Sequence, residues 1–278
     1  MRLLSAVLFA VWLLAVSHAV AAQRIVTLAP HLTEWAYSLD MGDTLVGVSA
    51  YSDYPEAAKA LPQVADYNGV NFRALMALSP DLVLAWEGGN KPQDISRLKQ
   101  LGFSVFLSSV RTPDDIADEL EALGQLVNKE RRAALLASEF REQLADLREK
   151  YHRATTTPVF YYSWTSPLMT VGKDAWANQL LAVCGARTIF TDAPNDYPQV
   201  SIQEVLRRQP ALLIAATRSS AQQASVFWEP HRNILDAPLI TVDPDVTSRF
   251  TLRLLPALSR LCGSVSSIRQ SQTASGKH

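Results

Sequence analysis

Side chains able to do chemistry are few in this sequence, and their spacing does not suit a catalyst. Of five histidines in 278 residues, His18 lies in an apolar leader and His278 ends the chain. His31, His152 and His231 remain, and none is spaced as a metal-binding pair. No G-x-S-x-G elbow, phosphate loop, G-x-G-x-x-G turn or H-E-x-x-H helix occurs. His31 stands slightly apart because it follows the first strand-like run, where parallel sheets build their sites. The aromatic residues carry a stronger pattern. Tyr51, Tyr54, Tyr67, Trp86, Tyr162, Trp164 and Tyr197 fall at the ends of strand-like runs or in the loops just beyond. Rings in such loops offer broad flat contact with a polar tip, which predicts a grip on a large, flat, partly polar ligand.

Loops of this kind need strands to hold them. Apolar runs at 24–28, 45–48, 82–85 and 105–107 alternate with helix-like segments starting near Thr33, Phe72, Pro92 and Thr112. The alternation resumes after residue 157, with strands at 159–162, 212–215 and 239–242 and helices at 175–183, 202–208 and 249–261. This predicts an α/β fold of two Rossmann-like lobes with parallel central sheets. Between the two series, Leu136, Phe140, Leu144, Leu147 and Tyr151 keep one apolar stripe in a segment without Gly or Pro. That segment reads as a single long α-helix, either joining the lobes or packed wholly within one. A weak repeat supports two lobes: Leu75-Met-Ala-Leu-Ser-Pro80 and the strand after it parallel Val205-Leu-Arg-Arg-Gln-Pro210 and its strand, at an offset of 130 residues. The expected division is a signal peptide at 1–22, an N-terminal lobe at 23–127, a linking helix at 128–154, a C-terminal lobe at 155–263 and a frayed tail at 264–278.

Composition bounds the partners. Lysine plus arginine number 26 against 27 acidic residues, so there is no field for a polyanion and nucleic acid is not expected. Arg2, the apolar stretch 3–16 and Ala19-Val20-Ala21-Ala22 form a charged, an apolar and a small-residue region, the pattern of a cleaved secretory leader. An uncleaved membrane helix is the other reading. Cys184 and Cys262 are the only two cysteines, and in an oxidising compartment an even pair is most simply a disulfide, the alternative being a free buried pair.

The segment Gly47-Val-Ser-Ala-Tyr51-Ser-Asp-Tyr54-Pro, followed by Pro80-Asp-Leu-Val-Leu-Ala-Trp86-Glu-Gly-Gly-Asn90, resembles the periplasmic substrate-binding proteins of ABC importers. More narrowly it is similar to the cobalamin (vitamin B12) binders among them. Gly172-Lys173, Pro198-Gln-Val-Ser201 and the Cys184/Cys262 pair share the likeness, which runs from about Arg24 to Cys262. The resemblance implies a non-enzymatic periplasmic carrier, a monomer when free, that takes cobalamin as cargo and uses no cofactor. It would deliver that cargo to an inner-membrane ABC permease and its ATPase. It also implies that Tyr51 and Trp86 touch the ligand and that Asp245 and Arg249 form a polar pair beside it. Tyr67 and Tyr197 stand where the family has tryptophans, Met169 where it has a phenylalanine, and Trp164 is read as compensation. Family members dock to the permease through a glutamate on each lobe. The aligned positions here are Arg73 and Gln203, with Glu204 and Glu87 as acidic neighbours. The same scaffold serves haem carriers, for which Tyr51, Tyr67 or His31 would supply an axial ligand, and ferric siderophore carriers. An exported hydrolase using an Asp/Glu pair is the alternative from another class.

Overall fold

A computed structural model of the chain describes residues 23–153 and 155–275. The expected leader at 1–22 lies outside the described residues. The first sheet contains β1 (Ile25–Thr27), β2 (Leu45–Ser49), β3 (Gln63–Asp66), β4 (Gly69–Val70), β5 (Leu82–Trp86) and β6 (Ser104–Ser108). Its spatial order is β4-β3-β2-β1-β5-β6, parallel throughout except for the β3–β4 hairpin. Strands β1 and β5 read as nearly unbroken apolar runs because helices cover both faces of a parallel sheet. The covering helices are α1 (Pro30–Ser38), α2 (Phe72–Leu78), α3 (Pro92–Gln100) and α4 (Pro113–Leu126). Helix α4 starts sharply because Thr112 and Asp115 form a reciprocal capping box around Pro113.

Helix α5 (Glu130–Tyr151) follows, 22 residues long and so about 33 Å at the usual rise. The second sheet holds β7 (Thr157–Thr165), β8 (Leu168–Thr170), β9 (Ala186–Thr188), β10 (Leu212–Ala216) and β11 (Leu239–Val242). The order is β11-β10-β7-β8, with β9 also on β7, and only β8 is antiparallel. Helices α6 (Trp176–Val183), α7 (Ile202–Arg208), α8 (Ala221–Ser225), α9 (Pro244–Thr247) and α10 (Leu254–Ser275) complete the chain. Helix α5 packs on α4 on one side and on α6 and α10 on the other, so it touches helices from both halves. Its buried stripe is Ala133, Ala137, Phe140, Leu144, Leu147 and Tyr151. The small residues let α4 approach closely: a Cβ on Gly124 would lie 2.3 Å from that of Ala133.

The repeat is visible in backbone detail. Helices α2 and α7 are each seven residues long, capped by Asn71 and Ser201, whose side chains accept from the backbone N–H of Ala74 and Glu204. Both end on a left-handed residue, Ser79 at φ 43° and Gln209 at φ 45°, followed by a proline two residues ahead of the next strand. Every boundary is displaced by the same 130 positions.

Two expectations are corrected. The helix expected at 249–261 begins only at Leu254, because residues 249–253 turn to place Arg249, Phe250 and Arg253 against the first half of the molecule. The expected frayed tail is helical through Ser275. The buried face of Leu258, Leu261 and Cys262 continues to Val265 at helical spacing, and that burial overrides the polar composition. Cys184 and Cys262 are joined in a disulfide that ties the end of α6 to α10.

Each sheet has its own apolar layer, around Val26, Leu75 and Val83 in one and Phe160, Val205 and Leu213 in the other. A third and larger core runs through both halves, from Ile25 and Trp35 through Phe140 on α5 to Val159, Ile214 and Val265. No helix among the described residues is long and apolar enough to cross a membrane.

Candidate functional site

Open parallel sheets build their sites at the carboxyl ends of their strands, and Trp86 at the end of β5 meets residues of the C-terminal half at the seam. A cavity of about 450 Å³ lies there, with Trp86, Glu87 and Arg111 on the N-terminal side and Asp174, Trp176 and Tyr197 on the C-terminal side. Phe250 closes its floor. Trp86 is the last residue of β5, and its backbone N–H donates to Asn90 Oδ1 across the tight Glu87-Gly-Gly turn. Gly88 and Gly89 are required by the indole itself. A Cβ on Gly89 would stand 2.1 Å from the Trp86 ring, and one on Gly88 2.8 Å from its nitrogen.

Beneath the indole sits an aromatic cluster joined by edge contacts: His31 to Trp86 at 5.4 Å, His31 to Phe250 at 5.0 Å, Trp86 to Phe250 at 5.3 Å and Trp176 to Phe250 at 4.6 Å. The indole N–H of Trp35 donates across the seam to the Phe250 carbonyl, and that of Trp176 donates within the C-terminal half to the Thr247 carbonyl. His31 is therefore a wedge under Trp86. Burial lowers its pKa to about 3, so the ring is neutral at ordinary pH.

The sequence-predicted residues divide into three groups. Trp86 and Tyr197 line the same cavity from opposite halves. Burial raises the Tyr197 phenol's pKa, and a backbone hydrogen bond from Trp176 partly offsets this. Trp164 is 63% exposed and lines a second cavity of about 600 Å³, confined to the C-terminal half, with Tyr162, Thr217, Gln223 and Phe227. Met169 pairs across β7–β8 with Trp164 and bridges to Gln199, two residues past Tyr197, so one short strand connects the two ring positions. Tyr51 and Tyr67, 69% and 82% exposed, line neither cavity. Tyr51 follows β2 at a φ of 63°, and Tyr67 tips the β3–β4 hairpin.

Asp245 and Arg249 are not an isolated pair. Their charged atoms are 3.7 Å apart, but Asp245 accepts two hydrogen bonds at 2.6 Å from Arg218. Arg249 reaches into the other half, donating to Asp53 at 2.6 Å, to the Tyr51 carbonyl at 3.2 Å and to Glu34 at 3.3 Å. The hydrogen bond from Arg249 holds the Asp53 carboxyl below the usual range. Sequence reasoning missed Phe250, Trp176, Glu34 and Arg253 as parts of the seam. Adjacency of Phe250 and Arg253 to Arg249 was the one available signal.

Arg73 and Gln203, expected from the resemblance to sit at docking positions, are both exposed, on the first turns of α2 and α7. Glu204 is held by Arg207 and Arg208, whose hydrogen bonds lower its pKa to about 2. Among the described residues, no group of three or more His, Cys, Asp or Glu is arranged to hold a metal ion.

Two α/β halves joined through one long helix, with an aromatic cleft at their seam, define a two-lobed ligand-binding protein. The chain belongs to the periplasmic binding protein family, whose model matches residues 25–228. It is 38% identical over 249 residues to a vitamin B12-binding protein of Yersinia pestis, covering 89% of this chain and 88% of the relative. The crystal structure of the periplasmic vitamin B12 binding protein BtuF of Vibrio cholerae superposes with a TM-score of 0.83 at 35% identity, covering 89% of this chain and 98% of that one. A periplasmic heme-binding protein of Roseiflexus shares the fold, with a TM-score of 0.76 at 20% identity over 89% of this chain and 99% of that one.

Proposed function

We propose that this protein is a periplasmic carrier that captures cobalamin in the cleft between its lobes and hands it to an inner-membrane ABC importer. The observation that carries the reading is a single cavity walled by Trp86 from one lobe and Tyr197 from the other, over a floor of Phe250 and Trp176. Flat rings on opposing walls suit a broad corrin, and the polar groups around them suit its amide periphery. No bond in the ligand is made or broken; binding rests on a preformed shape, which reduces the ordering cost.

Charge favours this cargo over the others of the scaffold. The cavity wall carries Glu87, Asp174 and Asp196 against Arg111, a poor setting for haem propionates or an anionic siderophore. His31 lies under Trp86, buried and neutral, and so is not presented as an axial ligand. Absorption titrations with cyanocobalamin, haemin and a ferric siderophore test the assignment. Saturable one-to-one spectral change with cyanocobalamin alone is expected; a Soret shift with haemin and none with cyanocobalamin would overturn it.

Docking to the permease would use the exposed first turns of α2 and α7. Arg73 places a positive charge at one prong and Gln203 a neutral group at the other, so the cognate permease is expected not to offer an arginine opposite Arg73. Glu204 is already neutralised by two arginines. In reconstituted transporter, Arg73→Glu is expected to reduce stimulation of ATPase activity, while Glu204→Ala decides whether that carboxylate takes part.

A further inference from the structure

Arg253 and Glu34 lie outside both cavities, yet Glu34 is the most deeply buried carboxylate among the ion pairs of the seam. Glu34, on α1, is 4% exposed, and its two oxygens accept from Arg253 Nε at 2.7 Å and Nη2 at 2.5 Å. Arg249 adds a third bond at 3.3 Å and continues to Asp53 and the Tyr51 carbonyl. The Arg253 guanidinium also lies 3.9 Å from the centre of the Tyr54 ring. Two arginines of the C-terminal lobe thus grip the first, third and fourth residues of loop 51–54 in the N-terminal lobe.

The second residue is held from the opposite side. Ser52 is buried, its hydroxyl accepting from Thr33 Oγ1 at 3.0 Å and lying 3.1 Å from Ser49 Oγ; Thr33 in turn reaches Thr27 Oγ1 at 2.6 Å. Such anchoring is needed because Tyr51 adopts a left-handed backbone, unfavourable for a bulky residue unless its surroundings impose it. A buried ion pair contributes little net stability once desolvation is counted, so its main consequence is geometry.

We propose that Glu34 and Arg253 are positioning residues for ligand binding: from across the lobe boundary, they and Arg249 set the backbone of the loop that carries Tyr51. The proposal rests on the cobalamin reading for the role of the Tyr51 ring, but not for the anchoring itself. The device makes loop 51–54 of one lobe depend on the other, so the Tyr51 ring is held in place only while these contacts across the seam are made.

Arg253→Met and the charge-balanced pair Glu34→Gln/Arg253→Met test this; the pair leaves no buried carboxylate without its partner. Hydrogen exchange of amides 49–54 is expected to rise about tenfold in both, with the β10 amides unchanged. Cyanocobalamin affinity is expected to fall about tenfold in the parent and by no more than about twofold in a Tyr51→Ala background, because the effect passes through that ring. Arg253→Lys, which keeps the charge without the fork, is expected to recover part of the affinity. Unchanged loop exchange, or equal affinity losses in both backgrounds, would overturn the proposal. Failure of the parent to bind cyanocobalamin would instead remove the cargo reading and leave exchange to decide the anchoring.

Discussion

A neutral histidine wedged among rings makes stability depend on pH in a calculable direction. The folded pKa of His31 is about 3 against an ordinary histidine value of 6.5, so between these values the unfolded chain binds the extra proton. Stability is therefore full above the unfolded value and declines as pH falls towards the folded one. His31 should contribute a loss of about 2 kcal/mol from about pH 7 to about pH 5. Urea unfolding at several pH values checks this, and His31→Phe should flatten that part of the curve. Trp86 presents the other prediction at this scale: Trp86→Ala should weaken cyanocobalamin binding by at least about 2 kcal/mol, as for an aromatic anchor, and should also lower the melting temperature because the indole packs on His31 and Phe250. Trp86 and Tyr197 were legible in the sequence because ring type and position after a strand are both local. The partners of Arg249 were not, since Glu34 and Asp53 lie 215 and 196 residues away and no periodicity reports such a pairing.

Strands with unbroken apolar runs, such as β5 and β10, declared themselves because burial on both faces leaves no room for polar alternation. The short β4, β8 and β9 did not; two or three residues cannot establish a period, and their pairing is decided by neighbours. Helix α10 shows the opposite failure. Its last turns are rich in Ser and Gln, but packing of Leu261, Cys262 and Val265 outweighs local propensity. The disulfide secures the same helix. Replacing Cys184 and Cys262 by alanine should lower stability by about 4 kcal/mol on loop-closure grounds, moving the melting temperature down by roughly 10 °C. Calorimetry of the double variant reads this directly, and cyanocobalamin affinity at 25 °C should change little because the bond is remote from the cleft.

At the scale of the molecule, the two sheets are not independent bodies. One apolar core passes through both and through α5, while the aromatic cluster and the Glu34–Arg249–Arg253 ion pairs close the seam in front of that helix. A cleft bounded this way admits small adjustments of its lobes rather than wide opening. Binding should therefore leave the overall dimensions nearly unchanged, with a radius of gyration by X-ray scattering that is the same with and without ligand to within about 1 Å. The repeated helix–strand unit made two lobes legible from sequence, and strand-end rings marked where they meet. The seam's closure was hidden because residues 249–253 read as helix.

The direct test of the whole account is isothermal titration of cyanocobalamin into the purified protein. Opposed rings across a preformed cleft predict one-to-one, saturable binding at sub-micromolar concentration, lost in Trp86→Ala. Absence of heat and of competition at micromolar concentrations, with the fold intact by circular dichroism, would contradict it.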